Sequence, residues 1–563
     1  AAQGDLDAWF ACAQALRRYG GAWVSDSERA ELREGVLRLV LGSRSQARSR
    51  LARLLESASL DAVVGDELAQ NLESGDVDLA DVFALTEYAS ARTLLDGVAG
   101  LGTAAPDDPE CARLERAITA YTAPDDDSPI ARQMRVVSEL SLGSTQEERT
   151  ERSGLVAELE QRYAALGCGY EGMAEPVSLA AAQELLGADE LLVRYVLPYH
   201  ALHPAYLPSV LVVTRTEARL VRLPVPDSGI GLIGRLSIDG RAPVDASPLG
   251  NEVVLARSAM DGGLDGDASP HLHRLYAMLV EPVLSTGLAA NRNRWVIAPQ
   301  RSLHLVPWMA LQDASGRWLL DDAAVTIAPS ASVWAALRRR PPRPAGALAA
   351  VGDPLVGYAG LPQLPGARAE VDHLAGLFQA SGRPVRSLLG AAATYDGLVG
   401  AVQLAGLVHV ATHGSFPEDG ALFDHRILLS QDLGRPGPVT TDALRRLDLG
   451  AAWCVTLSVC NGGVFRVGPG DEPYGLVPAV LEAGSPTVVA AQWAVDDDAG
   501  RELMRRVADR IVEAGPAEAL RGAVLEARRT GARPARDYTA FLAIGTGLGP
   551  AGDTSNVMEG RDR

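Results

Sequence analysis

The 563-residue sequence contains no lysine, so all 52 of its basic side chains are arginine. Lysine is normally among the commonest residues, which makes its absence from so long a chain unusual. Two explanations stay open at this point. One is codon bias in a GC-rich genome, indicated by abundant Ala, Arg, Gly and Asp, and the other is selection against lysine-directed tagging or acylation.

Long apolar runs are also missing, and so is excess positive charge. No stretch reaches about 18 uninterrupted apolar residues, so we expect no membrane span and no membrane partner. Residues 1–18 show no basic segment leading into an apolar core, and we therefore expect no signal peptide. The net charge of −19 repels phosphate backbones and argues against direct binding of nucleic acid.

Cysteine is scarce: Cys12, Cys111, Cys168, Cys454 and Cys460 are five in number and unevenly spaced. This odd set predicts no disulfide framework, and the absence of C-x-x-C spacing predicts no zinc site. We expect neither a metal nor an organic cofactor. A reducing environment fits such cysteine usage best, so the sequence predicts a cytoplasmic location.

The chain changes character near residue 175. Residues 1–172 contain amphipathic stretches with apolar residues three and four positions apart, which predict helices in a solenoid or small bundle. No clear repeat signature accompanies them. Short β-branched runs follow, and a Pro- and Arg-rich linker covers 338–346. Beyond the linker, buried strand-like runs alternate with helical stretches, which is typical of a parallel sheet with covering helices.

The chemically informative pair is His413 and Cys460, which are 47 positions apart. The apolar run LVHVAT ends at His413, and the run CVTLSV ends at Cys460. Both residues are therefore expected at the carboxyl ends of strands, where open α/β sheets place their ligand sites. Cys454 lies inside its run and is interpreted as an inert core residue.

A thiol near an imidazole becomes a thiolate, the nucleophilic form of cysteine. His413 is then expected to protonate the leaving amine. Backbone N–H groups of Gly414 and Cys460 are candidates for binding the developing oxyanion. This pattern predicts a cysteine protease, although any one His–Cys pair also occurs by chance.

Several stretches in order resemble the CHAT domain, a caspase-like and separase-like group of cysteine proteases. They are RSLHLVPWMAL, VGDPLVGYAGLPQLPGARAEVDHLAGLF, LVHVATHG, LSVCNGG and GLVPAVLEAGSPTVVAAQWAVDDDAG. In this resemblance LVHVATHG carries the catalytic histidine, here His413, and LSVCNGG carries the catalytic cysteine, here Cys460. Val459 replaces the more usual alanine before that cysteine and is expected to crowd the turn.

The resemblance implies an architecture for the whole chain. We expect an all-α region over 1–172 that serves as a sensor or partner platform. An α/β caspase-like fold follows, with a degenerate lobe over 175–338 and a catalytic lobe over 346–548, each a mainly parallel sheet with flanking helices. Residues 549–563 are expected to form a flexible tail, and 415–438 a lid, an activation loop or part of a substrate groove.

The resemblance also points to the substrate pocket, with Asp497, Asp496 and Trp493 as candidates. A buried carboxylate there would select Arg or Lys before the scissile bond. Alternatively, the three consecutive aspartates cap a helix. Both interpretations stay open.

Together these features predict a cysteine endopeptidase that cleaves a specific protein substrate and is regulated by a protein partner on residues 1–172. The resemblance suggests a role in bacterial defence or regulated cell death. The alternatives are a catalytically silent caspase-like scaffold and a zymogen that a partner activates.

Overall fold

The structure is a computed structural model. It describes residues 77–101, 161–197, 208–225, 247–262, 267–357, 361–415, 425–431, 437–460 and 466–551, together with separate positions within 41–72, 110–114, 158–159 and 462–463. These residues divide between two compact units. Unit 1 comprises 1–180, 196–208 and 468–472, and unit 2 comprises 181–195, 209–467 and 473–563.

The elements alternate between helix and strand through most of unit 2. The α-helices are α1 (Leu79–Tyr88), α2 (Arg92–Val98), α3 (Leu179–Leu185), α4 (Pro248–Asp261), α5 (Ser269–Leu279), α6 (Glu281–Ser285), α7 (Leu319–Asp322), α8 (Ala331–Arg338), α9 (Pro365–Ala380), α10 (Tyr395–Val402), α11 (Thr441–Arg445), α12 (Leu476–Glu482), α13 (Asp497–Ala514), α14 (Pro516–Thr530) and α15 (Ala535–Tyr538). Short 3₁₀ turns cover Arg301–Leu305, Trp308–Ala310 and Pro469–Asp471. The strands are β1 (Glu190–Val196), β2 (Ser209–Val213), β3 (Ala218–Arg222), β4 (Arg294–Ala298), β5 (Ala324–Ile327), β6 (Ala347–Pro354), β7 (Val385–Gly390), β8 (Ala405–Ala411), β9 (Gly414–Ser415), β10 (Arg426–Leu428), β11 (Pro438–Thr440), β12 (Cys454–Ser458), β13 (Arg466–Gly468), β14 (Glu472–Tyr474), β15 (Thr487–Ala491) and β16 (Phe541–Gly545).

In the described part of the chain, eleven strands form one sheet in the order β3-β2-β1-β4-β5-β16-β15-β12-β8-β6-β7. Most neighbours are parallel, while β2 with β3 and β15 with β16 are antiparallel. The sheet is therefore continuous across the two predicted lobes, which β16 joins by pairing with β5 on one side and β15 on the other.

Central strands are apolar on both faces, as parallel strands covered by helices must be. Every residue of β8 and β15 is buried. Helix α9 packs against β6, β7 and β8, with Val371, Leu374 and Phe378 buried along one stripe. The predicted mainly parallel α/β sheet with flanking helices is confirmed, and the described elements before residue 180 are helical. The predicted domain boundaries, including the 549–563 tail, stay predictions.

Unit 1 has a charged interior. The carboxylate of Asp96 forms ion pairs with Arg44, at 2.9 Å, and with Arg53, and all three side chains are fully buried. Glu472 is also buried here; it accepts hydrogen bonds from the backbone of Thr93 and, at 3.3 Å, from that of Leu94. Burial raises the pKa of the Glu472 carboxyl.

One prediction about cysteine is wrong for unit 1. Cys111 and Cys168 form a disulfide; their Cα atoms lie 6.0 Å apart, and the two residues are 57 positions apart in sequence. The spacing of the cysteines in the sequence did not indicate this pair, because cysteines so far apart come close to each other only in the folded chain. Disulfides are typical of oxidising compartments, so this bond removes the cysteine-based argument for a reducing cytoplasm.

Among the described residues, no helix combines the length and the apolar character that a membrane span requires.

Candidate active site

The carboxyl ends of β6, β8, β12 and β15 meet at one edge of the sheet. These strands are consecutive and parallel. His413 follows β8 by two positions and Cys460 follows β12 by two positions. The ladder between β8 and β12 pairs Ala411 with Ser458, so the chain delivers both residues to the same edge at matching heights.

His413 is held by its backbone and by one ring nitrogen. Its carbonyl oxygen accepts from Leu428 N at 2.9 Å, which extends the small sheet formed by β9, β10 and β11. Its Nε2 lies 2.8 Å from the carbonyl oxygen of Pro362. A carbonyl only accepts, so Nε2 carries the hydrogen and Nδ1 is left as the basic nitrogen of the neutral ring.

Cys460 lies in a tight, exposed turn after β12. Its thiol is 3.7 Å from the carbonyl oxygen of Val495. Gly462 N donates to Val459 O at 2.9 Å, and Gly463 N donates to Ala491 O at 2.7 Å. A Cβ at Gly463 would lie 2.9 Å from the backbone oxygen of Ala490, so the turn needs glycine at that position.

Two predictions about the cysteines can be compared with these positions. Cys454 is completely buried, and burial strongly raises the pKa of its thiol, as expected for an inert core residue. Val459 is only 2% exposed, and the expectation that it crowds the oxyanion turn stays a prediction.

Residues 362–366, which lead into and begin α9, contact the residues at these strand ends. The Pro362 carbonyl accepts from His413, Leu364 N donates to Asp353 at 3.1 Å, and Gly366 N donates to Asp497 at 2.9 Å. Asp353 lies at the end of β6 with a φ of 45° and also forms an ion pair with Arg368 at 2.9 Å. The segment lies within the family-like run 351–378, but its contacts with His413, Asp353 and Asp497 could not be predicted, because none of them depends on a recognisable motif.

The three pocket candidates all have structural contacts. Asp496 caps α13 by accepting from Asp498 N and Ala499 N, at 3.1 and 3.3 Å, which matches the capping interpretation. Asp497 is partly exposed and accepts from Gly366 at the start of α9. Trp493 is 2% exposed, and its indole donates to Arg536 O at 2.8 Å. The indole therefore has almost no surface to offer a substrate, and the pocket role of the two aspartates stays a prediction.

The segment 415–438 is described only in part. Strand β9 pairs with β10, which pairs with β11, so the described portions return the chain across the His413 edge. Residues 416–424 and 432–436 lie outside the described residues, and the lid or groove role stays a prediction.

A second set of polar side chains lies beneath this edge. His409, in the middle of β8, is fully buried, and its Nδ1 lies 2.7 Å from Thr456 Oγ1 on β12. Its Nε2 lies 3.3 Å from Glu370 of α9. In the sequence, the sign of this site is a histidine, His409, inside an otherwise apolar strand. His413 follows the same run and was chosen as the functional histidine instead.

Comparison with known proteins agrees with the sequence resemblance. The family model described as the CHAT domain matches residues 269–546, just under half of the chain. The expected resemblance to that domain is thereby confirmed over these residues, which include His413 and Cys460. No curated protein matches the chain.

Solved structures show more distant likenesses. The separase of the Saccharomyces cerevisiae separase–securin complex is 11% identical, with a TM-score of 0.42; the match covers 93% of this chain and 37% of that chain. The Porphyromonas gingivalis RgpB pro- and mature domains are 9% identical, with a TM-score of 0.32, over 53% of this chain and 76% of that chain. The present chain thus spans well under half of the length of the separase chain.

Proposed function

We propose that this protein is a cysteine endopeptidase with Cys460 as nucleophile and His413 as general acid and base. One observation carries the proposal: a histidine and an exposed cysteine follow two adjacent parallel strands at one edge of the sheet, inside the region that matches the CHAT domain. Open sheets place reactive groups at this edge, where strand ends leave side chains accessible.

The reaction is as follows. His413 Nδ1 accepts the thiol proton of Cys460, and the sulfur attacks the carbonyl carbon of the scissile bond. Backbone N–H groups of Gly414 and Cys460 stabilise the oxyanion. The C–N bond then breaks, the amine leaves with the proton returned by His413, and a thioester remains. Water deprotonated by His413 attacks the thioester, releasing the acid and restoring the thiol.

The substrate in this proposal is a specific protein, with Arg or Lys before the scissile bond if Asp497 faces the pocket. Asp497 retains a partly exposed carboxylate while accepting one backbone hydrogen bond, and a carboxylate has further acceptor sites for a bidentate guanidinium. The suggested role in bacterial defence or regulated cell death follows from the resemblance in sequence.

In this proposal, a protein partner that binds residues 1–172 regulates the enzyme through a stretch of chain that follows Cys460 and belongs to unit 1. Residues 468–472, which begin eight positions after Cys460, belong to unit 1, and Glu472 is buried among the unit 1 residues Thr93, Leu94 and Ser57. A partner that rearranges the helices of unit 1 would therefore displace residues 468–472, and with them the chain that follows the Cys460 turn.

A partner-activated zymogen is the second candidate. Within the described residues, His413 and Cys460 each contact a backbone carbonyl, of Pro362 and Val495 respectively, and not each other. Release of these two contacts would let the imidazole and the thiol pair. The silent scaffold is less well supported, because a scaffold has no use for an exposed thiol at this edge.

The test uses fluorogenic peptides bearing Arg, Lys, Met, Leu or Asp before the cleavable bond. We expect the full chain to cleave the Arg or Lys peptides, and we expect Cys460→Ala and His413→Ala to abolish cleavage; Asp497→Asn should weaken the preference for basic residues. Labelling by a thiol-reactive peptide probe only after a partner is added would instead support the zymogen. Equal cleavage by wild type and Cys460→Ala would refute the proposed function.

A further inference from the structure

The buried pair Glu370 and His409 lies between the helix and the two strands that form the candidate active site. His409 on β8 is register partner to Thr456 on β12 and to Ala350 on β6. Glu370, which is 5% exposed, belongs to the buried stripe of α9. Its Oε2 atom lies 3.3 Å from His409 Nε2, and its other carboxylate oxygen lies 3.2 Å from the hydroxyl of Ser458 on β12.

These contacts form one continuous chain of polar atoms. It runs from Thr456 to His409, on to Glu370, and ends at Ser458, so it starts and finishes on β12 two positions apart. Residues two apart on a strand share a face, which is why the helix reaches both. Ser458 is partly exposed and precedes Cys460 by two positions, while the other three members are buried.

Neither His409 Nε2 nor the Glu370 Oε2 atom that faces it at 3.3 Å has a hydrogen-bond partner in the structure, so the donors and acceptors around them indicate where a hydrogen belongs. Thr456 Oγ1 lies 3.4 Å from the carbonyl oxygen of Val408, which can only accept. If the hydroxyl donates there, His409 Nδ1 carries a hydrogen and donates to Thr456. If the ring is also neutral, His409 Nε2 carries no hydrogen and faces the Glu370 carboxylate at 3.3 Å. Two hydrogen-bond acceptors, the ring nitrogen and the carboxylate oxygen, would then lie opposite each other in the core.

A proton on either Nε2 or Glu370 removes that repulsion. If Thr456 instead donates to Nδ1, Nε2 itself carries the hydrogen and donates to the carboxylate. Each arrangement therefore places a hydrogen between the two groups. The sheet neighbours of His409 are an alanine and a threonine, and the nearby buried positions of α9 are Ala367, Val371 and Leu374, so no further charge is needed to account for the pair.

The segment that leads into this helix contacts His413. Just before α9, the carbonyl oxygen of Pro362 accepts a hydrogen bond from Nε2 of His413. In the first turn of α9, the backbone N–H of Gly366 donates to the carboxylate of Asp497, and Glu370 follows one turn later. The chain thus contacts the candidate base just before α9, at Pro362, and the strand of the candidate nucleophile from within α9, at Glu370.

We propose that Glu370 and His409 are positioning residues for Cys460, a buried pair with a hydrogen between them that fixes β12 and its turn against α9. This inference rests on the proposed function. Neither side chain touches the reacting atoms; the pair acts by keeping the thiol within reach of His413. Displacements of about 1 Å at a reacting group lower rates by up to about a hundredfold.

Two variants of Glu370 separate positioning from bulk packing. Glu370→Gln keeps an acceptor for Ser458 and a donor for His409, whereas Glu370→Leu keeps only the volume. For peptide cleavage we expect Glu370→Leu to lower kcat roughly 10- to 100-fold with KM nearly unchanged, and Glu370→Gln to stay within about threefold of wild type. A Glu370→Leu protein that melts as wild type does and keeps its kcat would overturn the proposal, as would equal losses in both variants.

Two readouts do not depend on peptidase activity. The first is the rate at which iodoacetamide alkylates Cys460, which we expect to change at least about threefold in Glu370→Leu and not in Glu370→Gln. The second is ¹⁵N-histidine NMR, with His409 assigned by the signal missing in His409→Gln. We expect Nε2 to be hydrogen-bonded in wild type and Glu370→Gln and bare in Glu370→Leu. An Nε2 signal and an alkylation rate that are the same in all three proteins overturn the inference, even if no peptide is ever cleaved.

If Glu370→Leu fails to fold, Ser458→Ala replaces it, because the serine is partly exposed and its loss removes one hydrogen bond. We expect an unchanged melting temperature, a three- to tenfold lower kcat and an altered alkylation rate of Cys460. A kcat and an alkylation rate equal to wild type would overturn the proposal.

Discussion

The Nε2 atom of His413 lies 2.8 Å from the carbonyl oxygen of Pro362, so the ring orientation of the candidate base depends on the segment that leads into α9. That segment is itself held at Leu364 by Asp353 and at Gly366 by Asp497. The histidine therefore takes its orientation and its tautomer from a loop more than fifty positions away in sequence, in addition to its own strand.

Two glycines of α9 provide a matched test of this dependence. In Gly366→Ala the new methyl would lie 2.5 Å from the Asp497 carboxylate and displace it, whereas Gly376 has no heavy atom within 4 Å. We expect Gly366→Ala to lower kcat roughly tenfold and stability by about 1 kcal/mol. Gly376→Ala should retain kcat and gain up to about 1 kcal/mol. Peptide cleavage and urea unfolding measure both, and equal kcat values in the two variants would contradict the dependence.

The two free thiols of the CHAT-matching region should differ sharply in reactivity. Cys460 is exposed, and Cys454 is buried with its pKa strongly raised by burial. Because only the thiolate is alkylated, we expect iodoacetamide at pH 8 to modify Cys460 while Cys454 stays unmodified until the protein unfolds. Peptide mapping by mass spectrometry follows both sites. Comparable labelling of Cys454 in folded protein would mean that β12 is not the buried strand described above.

Reduction of the Cys111–Cys168 disulfide should destabilise unit 1. The bond closes a loop of 57 positions, which in the chain-entropy description restricts the unfolded state by about 2–4 kcal/mol. We expect dithiothreitol to lower the unfolding midpoint of wild type. A variant with both cysteines replaced by serine should start at the lower midpoint and not respond. A midpoint of wild type that is insensitive to reduction, with the thiols shown to be free, argues against the bond.

The raised pKa of Glu472 predicts a pH dependence of stability. Its ordinary value is 4.5, and burial raises it in the folded state. Between the unfolded and folded values the folded state binds more protons than the unfolded state, so the free energy of unfolding falls as pH rises, by at most about 1.4 kcal/mol per pH unit. Glu472→Gln should remove this contribution.

Urea unfolding at pH 5, 6, 7 and 8 measures that slope. The matched control is Glu171→Gln, since the Glu171 side chain is 69% exposed and pairs with Arg48 at the surface of the same unit. We expect the slope of the control to follow wild type. A Glu472→Gln protein with the wild-type slope would show that the carboxyl titrates alike in both states.

Much of the sheet could be predicted because buried parallel strands are apolar runs. The run LVHVAT coincides with β8, CVTLSV with β12, and TVVAA with β15. The helical pattern over 366–381 corresponds to α9, observed over Pro365–Ala380, and the two helical patterns within 499–530 correspond to α13 and α14. Of the amphipathic stretches in 1–172, residues 31–40 lie outside the described residues.

The features that sequence reasoning missed depend on contacts between distant positions. Strand β16 has an ordinary apolar pattern, and only its pairing shows that it joins the two halves of the sheet. Strands of two or three residues, such as β9 and β10, are too short for a periodicity of two to be seen. The network through His409 needed α9 to be docked before Glu370 could be recognised as its partner.

The assignment of Gly468–Glu472 to unit 1 has a consequence for dividing this protein into parts. Unit 1 is assembled from three separate stretches of chain. The last of them, Gly468–Glu472, runs from the final residue of β13 to the first residue of β14. A fragment that begins near residue 181 would keep the entire CHAT-matching region, yet it would leave the Glu472 carboxyl without Thr93, Leu94 and Ser57. The CHAT-matching region is thus not self-contained in sequence, because its residues 468–472 belong to a unit whose other stretches all precede residue 209.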